Sequence, residues 1–145
     1  MADTLVHSPA YSCSGEPWIR RVSSGGRGRN LARGMEGESL AALALQQKGM
    51  RVIGRNIRSK TGEIDLAVLD GGVLAFVEVK NWPAYGLENL GLGINEKKQR
   101  RIIETAKYFL ASHREYNYRS IRFDVVFLRP GEPMVHLVSA FTESQ

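Results

Sequence analysis

The sequence predicts a single α/β (α+β) domain with the element order αβββαββ and strands running in mixed directions. Three observations predict it. Two segments are built from helix-forming residues, and the second repeats its apolar residues at helical spacing. Five short stretches are rich in Val, Ile and Leu. The turn residues Asp70-Gly71-Gly72 separate two of those stretches closely enough to make them a hairpin.

Taken in chain order, residues 36–48 are rich in Ala, Leu, Glu and Gln and are followed by Gly49, which reads as a helix and its stop. Met50 to Ile57 reads as a short strand, and Ser59-Lys60-Thr61-Gly62 as a turn. Glu63 to Leu69 and Val73 to Lys80 are the two strongest strands. Residues 81–94, with Pro83, Gly86, Gly91 and Gly93, read as a loop. Asn95 is placed to cap a helix that runs to about His113, with the stripe Ile102, Ile103, Ala106, Phe109 and Leu110. Ile121 to Leu128 and Met134 to Phe141 complete the set, joined through Pro130-Gly131.

Length and composition exclude several classes. At 145 residues the chain is one domain with room for a tail. No apolar run reaches the ~18 residues of a membrane span, and residues 1–20 hold no signal-like apolar stretch, so a cytoplasmic protein without membrane contact is expected. One cysteine, Cys13, rules out an internal disulfide framework. The net charge of +5 suggests a polyanionic partner, but it is unevenly spread. Residues 1–33 carry Arg20, Arg21, Arg27, Arg29 and Arg33 against Asp3 and Glu16, and they include Ser-Ser-Gly-Gly-Arg-Gly-Arg. They are expected to form a basic, mostly disordered extension, with residues 34–145 as the compact domain. The domain itself is nearly balanced in charge.

Chemistry concentrates on the central hairpin. Alternation along a strand puts Glu63 and Asp65 on one face and Ile64, Leu66 and Val68 on the other. Glu78 and Lys80 share a face in the same way. If Gly71-Gly72 is a two-residue turn, Asp65 falls opposite Glu78 and Glu63 opposite Lys80. Directly opposed residues have Cβ atoms about 5 Å apart. Two carboxylates at that distance repel by roughly 3 kcal/mol at an effective dielectric near 20. The apolar flanks suggest burial from both sides, which adds a desolvation cost. A hard divalent cation held by oxygens relieves both, and Lys80 adds a positive charge. An ordinary hairpin with a surface Glu63–Lys80 pair is the plainer alternative.

Other residues leave two readings open. Glu38 lies at helical spacing from Ala41 and Leu45, toward the packed side, or is an exposed first-turn acid favoured by the helix dipole. Lys97, Lys98, Arg100 and Arg101 crowd a helix start, where the dipole disfavours cations. A phosphate backbone nearby would offset that placement, and a solvated basic face is the alternative. Lys98 precedes Ile102 by one turn and is the best placed of the four to reach the hairpin. Trp82 is a stacking candidate for exposed bases, or packs the loop onto the domain. Arg122 and Asp124 share a strand face and form a candidate structural pair.

Asp65, twelve intervening residues, then Glu78-Val79-Lys80 resembles the PD-(D/E)xK nuclease signature. More closely, the chain resembles the YraN family of bacterial proteins, which look like Holliday-junction resolvases. The match runs from about Gly34 to Val126. It includes Gly34-x-x-Gly37-Glu38, Arg55-Asn56, Gly62-Glu63-Ile64-Asp65-Leu66, Phe76-Val77-Glu78-Val79-Lys80, Lys98-Gln99-x-Arg101 and Arg122-Phe123-Asp124-Val125-Val126. The resemblance implies a restriction-endonuclease-like core, a mixed central sheet flanked by helices. In it Asp65 and Glu78, with the Val79 carbonyl, would bind Mg²⁺ or Mn²⁺. Lys80 would take the place of the catalytic lysine and Glu38 that of the first-helix glutamate, with Glu63 as a further catalytic candidate. Lys97, Lys98, Arg101 and Trp82 would contact nucleic acid, DNA ahead of RNA. After Lys80 the chain reads Asn81-Trp82-Pro83, where relatives usually carry basic or small polar residues. The expected activity is metal-dependent endonucleolytic hydrolysis, with branched DNA as a candidate substrate. A non-catalytic nucleic-acid-binding module of the same fold is the alternative. Junction resolution would require two active sites and hence a homodimer.

Overall fold

The computed structural model describes residues 28–81, 94–117, 120–128 and 131–143. Five strands form one sheet in the order β1-β2-β3-β4-β5. They are β1 (Arg51–Arg58), β2 (Glu63–Asp70), β3 (Val73–Asn81), β4 (Ser120–Leu128) and β5 (Val135–Phe141). Strands β3 and β4 pair in parallel and the other neighbours pair antiparallel, so the sheet is mixed. Helix α1 (Gly28–Gln47) and helix α2 (Glu96–Ser112) flank it, the arrangement expected of a restriction-endonuclease-like core.

Each helix covers its own apolar core. Ala41, Ala42 and Leu45 of α1 pack with Leu66, Val68, Ala75, Val77 and Val126. Ile102, Ile103, Ala106 and Phe109 of α2 pack with Ile57, Ile64, Leu74, Phe76 and Phe123. Phe76 anchors the second core, edge-on to Phe109 at 5.7 Å between centroids and stacked on Phe123 at 5.9 Å. Such ring pairs contribute about 0.5–1.5 kcal/mol each beyond buried area. Asn95 caps α2, its Oδ1 accepting from the Lys98 backbone N–H at 2.9 Å.

Two sequence expectations need correction. Helix α1 begins at Gly28, not near 36, so the boundary expected at 33/34 falls inside it; residues 1–27 lie outside the described residues. Leu31, Ala32, Arg33 and Met35 are helix formers that offset Gly28, Gly34 and Gly37. The second correction concerns strand faces. Leu66 and Val68 join the α1 core as a pair, but Ile64 joins the α2 core. Alternation is therefore interrupted at Asp65. On the neighbouring strand, the pairs Arg55–Leu66 and Ile57–Ile64 bracket Asn56, whose φ is +50°. A left-handed residue there kinks β1, and Asn tolerates that conformation better than most residues.

Candidate functional site

Strands β2 and β3 pair from Asp70–Val73 to Leu66–Val77, the register set by a Gly71-Gly72 turn. Beyond Leu66 the link between the strands is made by a side chain. The Val79 N–H donates to Asp65 Oδ2 at 2.7 Å. One carboxyl oxygen of Asp65 is thereby fixed at the end of the hairpin ladder.

Glu78, the next acid, is only 6% exposed. Its charge and that of Asp65 act on each other, and Glu38 of α1 lies near enough to act on both. Asn56, at the kink in β1, favours the ionised Glu38. The left-handed Asn56 thus has a place in the site. Three carboxyls from α1, β2 and β3 form a chain, and neighbouring acids in such a chain can share protons.

Burial and mutual repulsion push their proton affinities up. Desolvation raises the Asp65 carboxyl to about 7 against the Val79 hydrogen bond, and the Glu38 charge adds to it. Desolvation, followed by the Asp65 charge, raises Glu78 to about 7. Glu38 is raised as well, first by burial.

One cation answers this excess of acid. Lys98 Nζ from α2 lies 2.5 Å from Glu78 Oε1. Burial works to lower the Lys98 ammonium, but the Glu78 hydrogen bond and charge outweigh it, so its affinity for the proton rises. Lys80, two residues along β3 from Glu78, makes no ion pair among the described residues; its charge still favours the ionised Glu78.

The remaining candidates are dispersed. Glu63 pairs with Arg58 across β1–β2 at 2.8 Å in an exposed position, not with Lys80, because the β2–β3 ladder stops before reaching it. Lys97 is exposed without a contact to the carboxyls, while Arg101 sits beside Lys98 in the lining of an open pocket. Trp82 lies outside the described residues. Arg122 and Asp124 do pair, at 2.9 Å, within a wider network. His136 Nε2 and the Ser139 N–H also reach Asp124, at 2.8 and 2.9 Å, and Arg122 reaches Asp70 at 3.0 Å. This network fastens β2, β4 and β5.

The donor set fits a hard divalent cation in its chemistry: the carboxyl oxygens of Asp65 and Glu78 are drawn largely out of water and repel each other. Among the described residues, no three His, Cys, Asp or Glu side chains converge as a ready-made metal cage. Asp65 and Glu78 are the pair on which coordination would have to centre.

Residues 37–128 match the model of the uncharacterised protein family UPF0102. The chain belongs to the UPF0102 (YraN) family. A UPF0102 protein of Treponema denticola is 46% identical over 121 residues, covering 74% of this chain and 93% of the relative. One from Treponema pallidum is 42% identical over 121 residues, covering 79% and 95%. One from a Bradyrhizobium species is 32% identical over 142 residues, covering 98% and 96%. The UPF0102 match begins at Gly37 and ends at Leu128, so it takes in the carboxyl chain, Lys98 and the Arg122–Asp124 pair. Among the described residues, no helix is long and apolar enough to cross a membrane.

Sequence reasoning missed Asn56, Arg58 and Lys60. An asparagine inside a strand pattern was the available signal for the first. A turn carrying Lys60 directly after Arg58 was the signal for the other two.

Proposed function

We propose that this UPF0102 protein is a Mg²⁺- or Mn²⁺-dependent endonuclease that hydrolyses phosphodiester bonds in nucleic acid, with branched DNA as the candidate substrate. The observation that carries the reading is the half-buried Asp65 beside the buried Glu78 at the end of the β2–β3 ladder, with Lys98 against Glu78. A carboxyl pair with a lysine beside it that also lines a basic pocket is suited to phosphoryl chemistry.

Asp65, Glu78 and the Val79 carbonyl would hold the cation. When bound, it supplies Lewis-acid polarisation of the phosphoryl oxygen and acidifies a water. The Val79 N–H orients Asp65 by holding one of its oxygens. Lys80, on the same strand as Glu78, places a positive charge where negative charge develops in hydrolysis. Glu38, near Asp65, positions a water or takes its proton. Glu63 sits farther out, on Arg58, and shapes the rim. Resolving a four-way junction would need two such sites, and so a dimer.

A second reading, a binding module without turnover, has one observation in its favour: Lys98 already supplies Glu78 with a positive charge. A cleavage panel separates the two. Duplex, single-stranded, flap and four-way-junction DNA, and RNA, are incubated with Mg²⁺ or Mn²⁺ against Asp65→Ala and Glu78→Ala controls. Metal-dependent cleavage by the wild type, lost in both variants with DNA binding largely retained, is the expected result. Full cleavage by either variant would sink the assignment, and binding without cleavage by the wild type would favour the module.

A further inference from the structure

A pocket of about 500 Å³ opens where the β1–β2 turn meets the first turns of α2. Arg58, Lys60, Lys98 and Arg101 line it, against the single acid Glu63. Two of these cations are committed, Arg58 to Glu63 and Lys98 to Glu78. Lys60 and Arg101 make no ion pair among the described residues, and the buried Nε of Arg58 has no hydrogen-bond partner there. The pocket therefore holds more donors than the protein uses.

Its wall is held in place by specific packing. Ser59 Oγ lies 2.8 Å from Thr105 Oγ1, which donates to the Arg101 carbonyl at 2.8 Å. Gly62 rests so close to α2 that a Cβ there would stand 3.0 Å from Arg101 Cβ. The turn is thus docked on the helix start, with the Arg101 carbonyl and Cβ in the seam and the residue exposed. Cations in the first turns of a helix oppose its dipole, and a bound anion would relieve that opposition. Guanidinium forks and an ammonium together suit the several oxygens of a phosphate. Lys98 belongs to both places, lining the pocket and touching Glu78.

We propose that this cradle binds a second, internal phosphate of the nucleic-acid strand, next to the one presented to Asp65 and Glu78. The minimal substrate then carries two consecutive phosphates. The identity of the first phosphate rests on the nuclease reading; the cradle itself is testable without metal or turnover.

The test is fluorescence anisotropy of labelled oligonucleotides in EDTA over a range of salt, with the full chain. Three proteins are compared: wild type, Lys60→Ala/Arg101→Ala and Lys48→Ala/Arg114→Ala. The last removes the same charge near the opposite ends of β1 and α2. The pocket variant should bind at least about tenfold more weakly, with the log K against log salt slope smaller in magnitude by about 2. The distant variant should stay within about threefold of wild type. A 5′-phosphate on the oligonucleotide should not matter, because the cradle takes an internal phosphate. Equal loss in both double variants, no loss in either, or no binding by the wild type overturns the proposal. So does a preference of tenfold or more for a phosphorylated end, or competition as strong from inorganic phosphate alone. If the pocket double variant fails to fold, Lys60→Ala on the exposed turn is read in its place. A wild type that binds in this pattern but never cleaves contradicts the nuclease reading and leaves the cradle standing.

Discussion

Lys98 of α2 and Glu78 of β3 form an ion pair at 2.5 Å, so the helix start and the hairpin end are joined by charge at the centre of the site. The cation nearest in sequence to Glu78, Lys80, makes no such pair among the described residues. The crossover from β3 through α2 to β4 brings Lys98 over the strand end, where it meets a buried acid that Lys80 of β3 favours by charge but does not pair with.

Lys98→Met should therefore raise the Glu78 proton affinity further above 7, since the hydrogen bond and charge that lower it are both removed. Carbon-detected NMR titration of the carboxyl groups measures this. An unchanged Glu78 titration would show that the pair is not formed in solution.

The raised carboxyls also set a pH dependence of stability. Asp65 and Glu78 bind protons more tightly folded, at about 7, than their ordinary values of 3.8 and 4.5. Their contribution is full below pH ~4 and is lost as pH rises through 7. The metal-free protein should thus melt lower at pH 8 than at pH 5. Asp65→Asn, which keeps an acceptor for the Val79 N–H, should remove part of the loss and raise the pH 8 melting temperature by roughly 3–6 °C. Thermal unfolding by circular dichroism across pH 4–9 checks it; a variant with the wild-type pH slope would refute the assignment.

Asp124 behaves in the opposite sense. Burial works to raise its carboxyl, but bonds from His136, Arg122 and Ser139 outweigh this and hold it below the ordinary value. Its contribution is present above pH ~4 and disappears as pH falls further. Asp124→Ala removes the fully buried acceptor of His136 and leaves Arg122 with only Asp70, and should cost about 3 kcal/mol. Urea unfolding measures that, and a loss below 1 kcal/mol would show that the network is dispensable.

Much of this was legible in the chain itself, for identifiable reasons. The hairpin register follows from a two-glycine turn and period-two alternation, and both act locally. The Asn95 cap and the α2 stripe are equally local. Lys98 was separable from its neighbours because one helical turn links it to the buried Ile102. What escaped depends on long-range packing. The left-handed Asn56 breaks alternation at Asp65, and no pattern along β2 reports a kink imposed by β1. Glu63 turns to Arg58 because the β2–β3 ladder ends early. The His136 and Ser139 contacts to Asp124 require knowing that β5 folds back on β4. The cradle at Arg58, Lys60 and Arg101 joins a turn to a helix far along the chain.

The central claim is that Asp65 and Glu78 act together as a cation site, and calorimetric titration with Mn²⁺ at pH 7.5 tests it most directly. Wild type should bind Mn²⁺ with proton release, since cation and proton compete for the same carboxyls. Asp65→Asn and Glu78→Gln, both folded, should each bind at least about tenfold more weakly and release fewer protons. Binding of equal strength in wild type and both variants, or no binding by the folded wild type, would contradict the account.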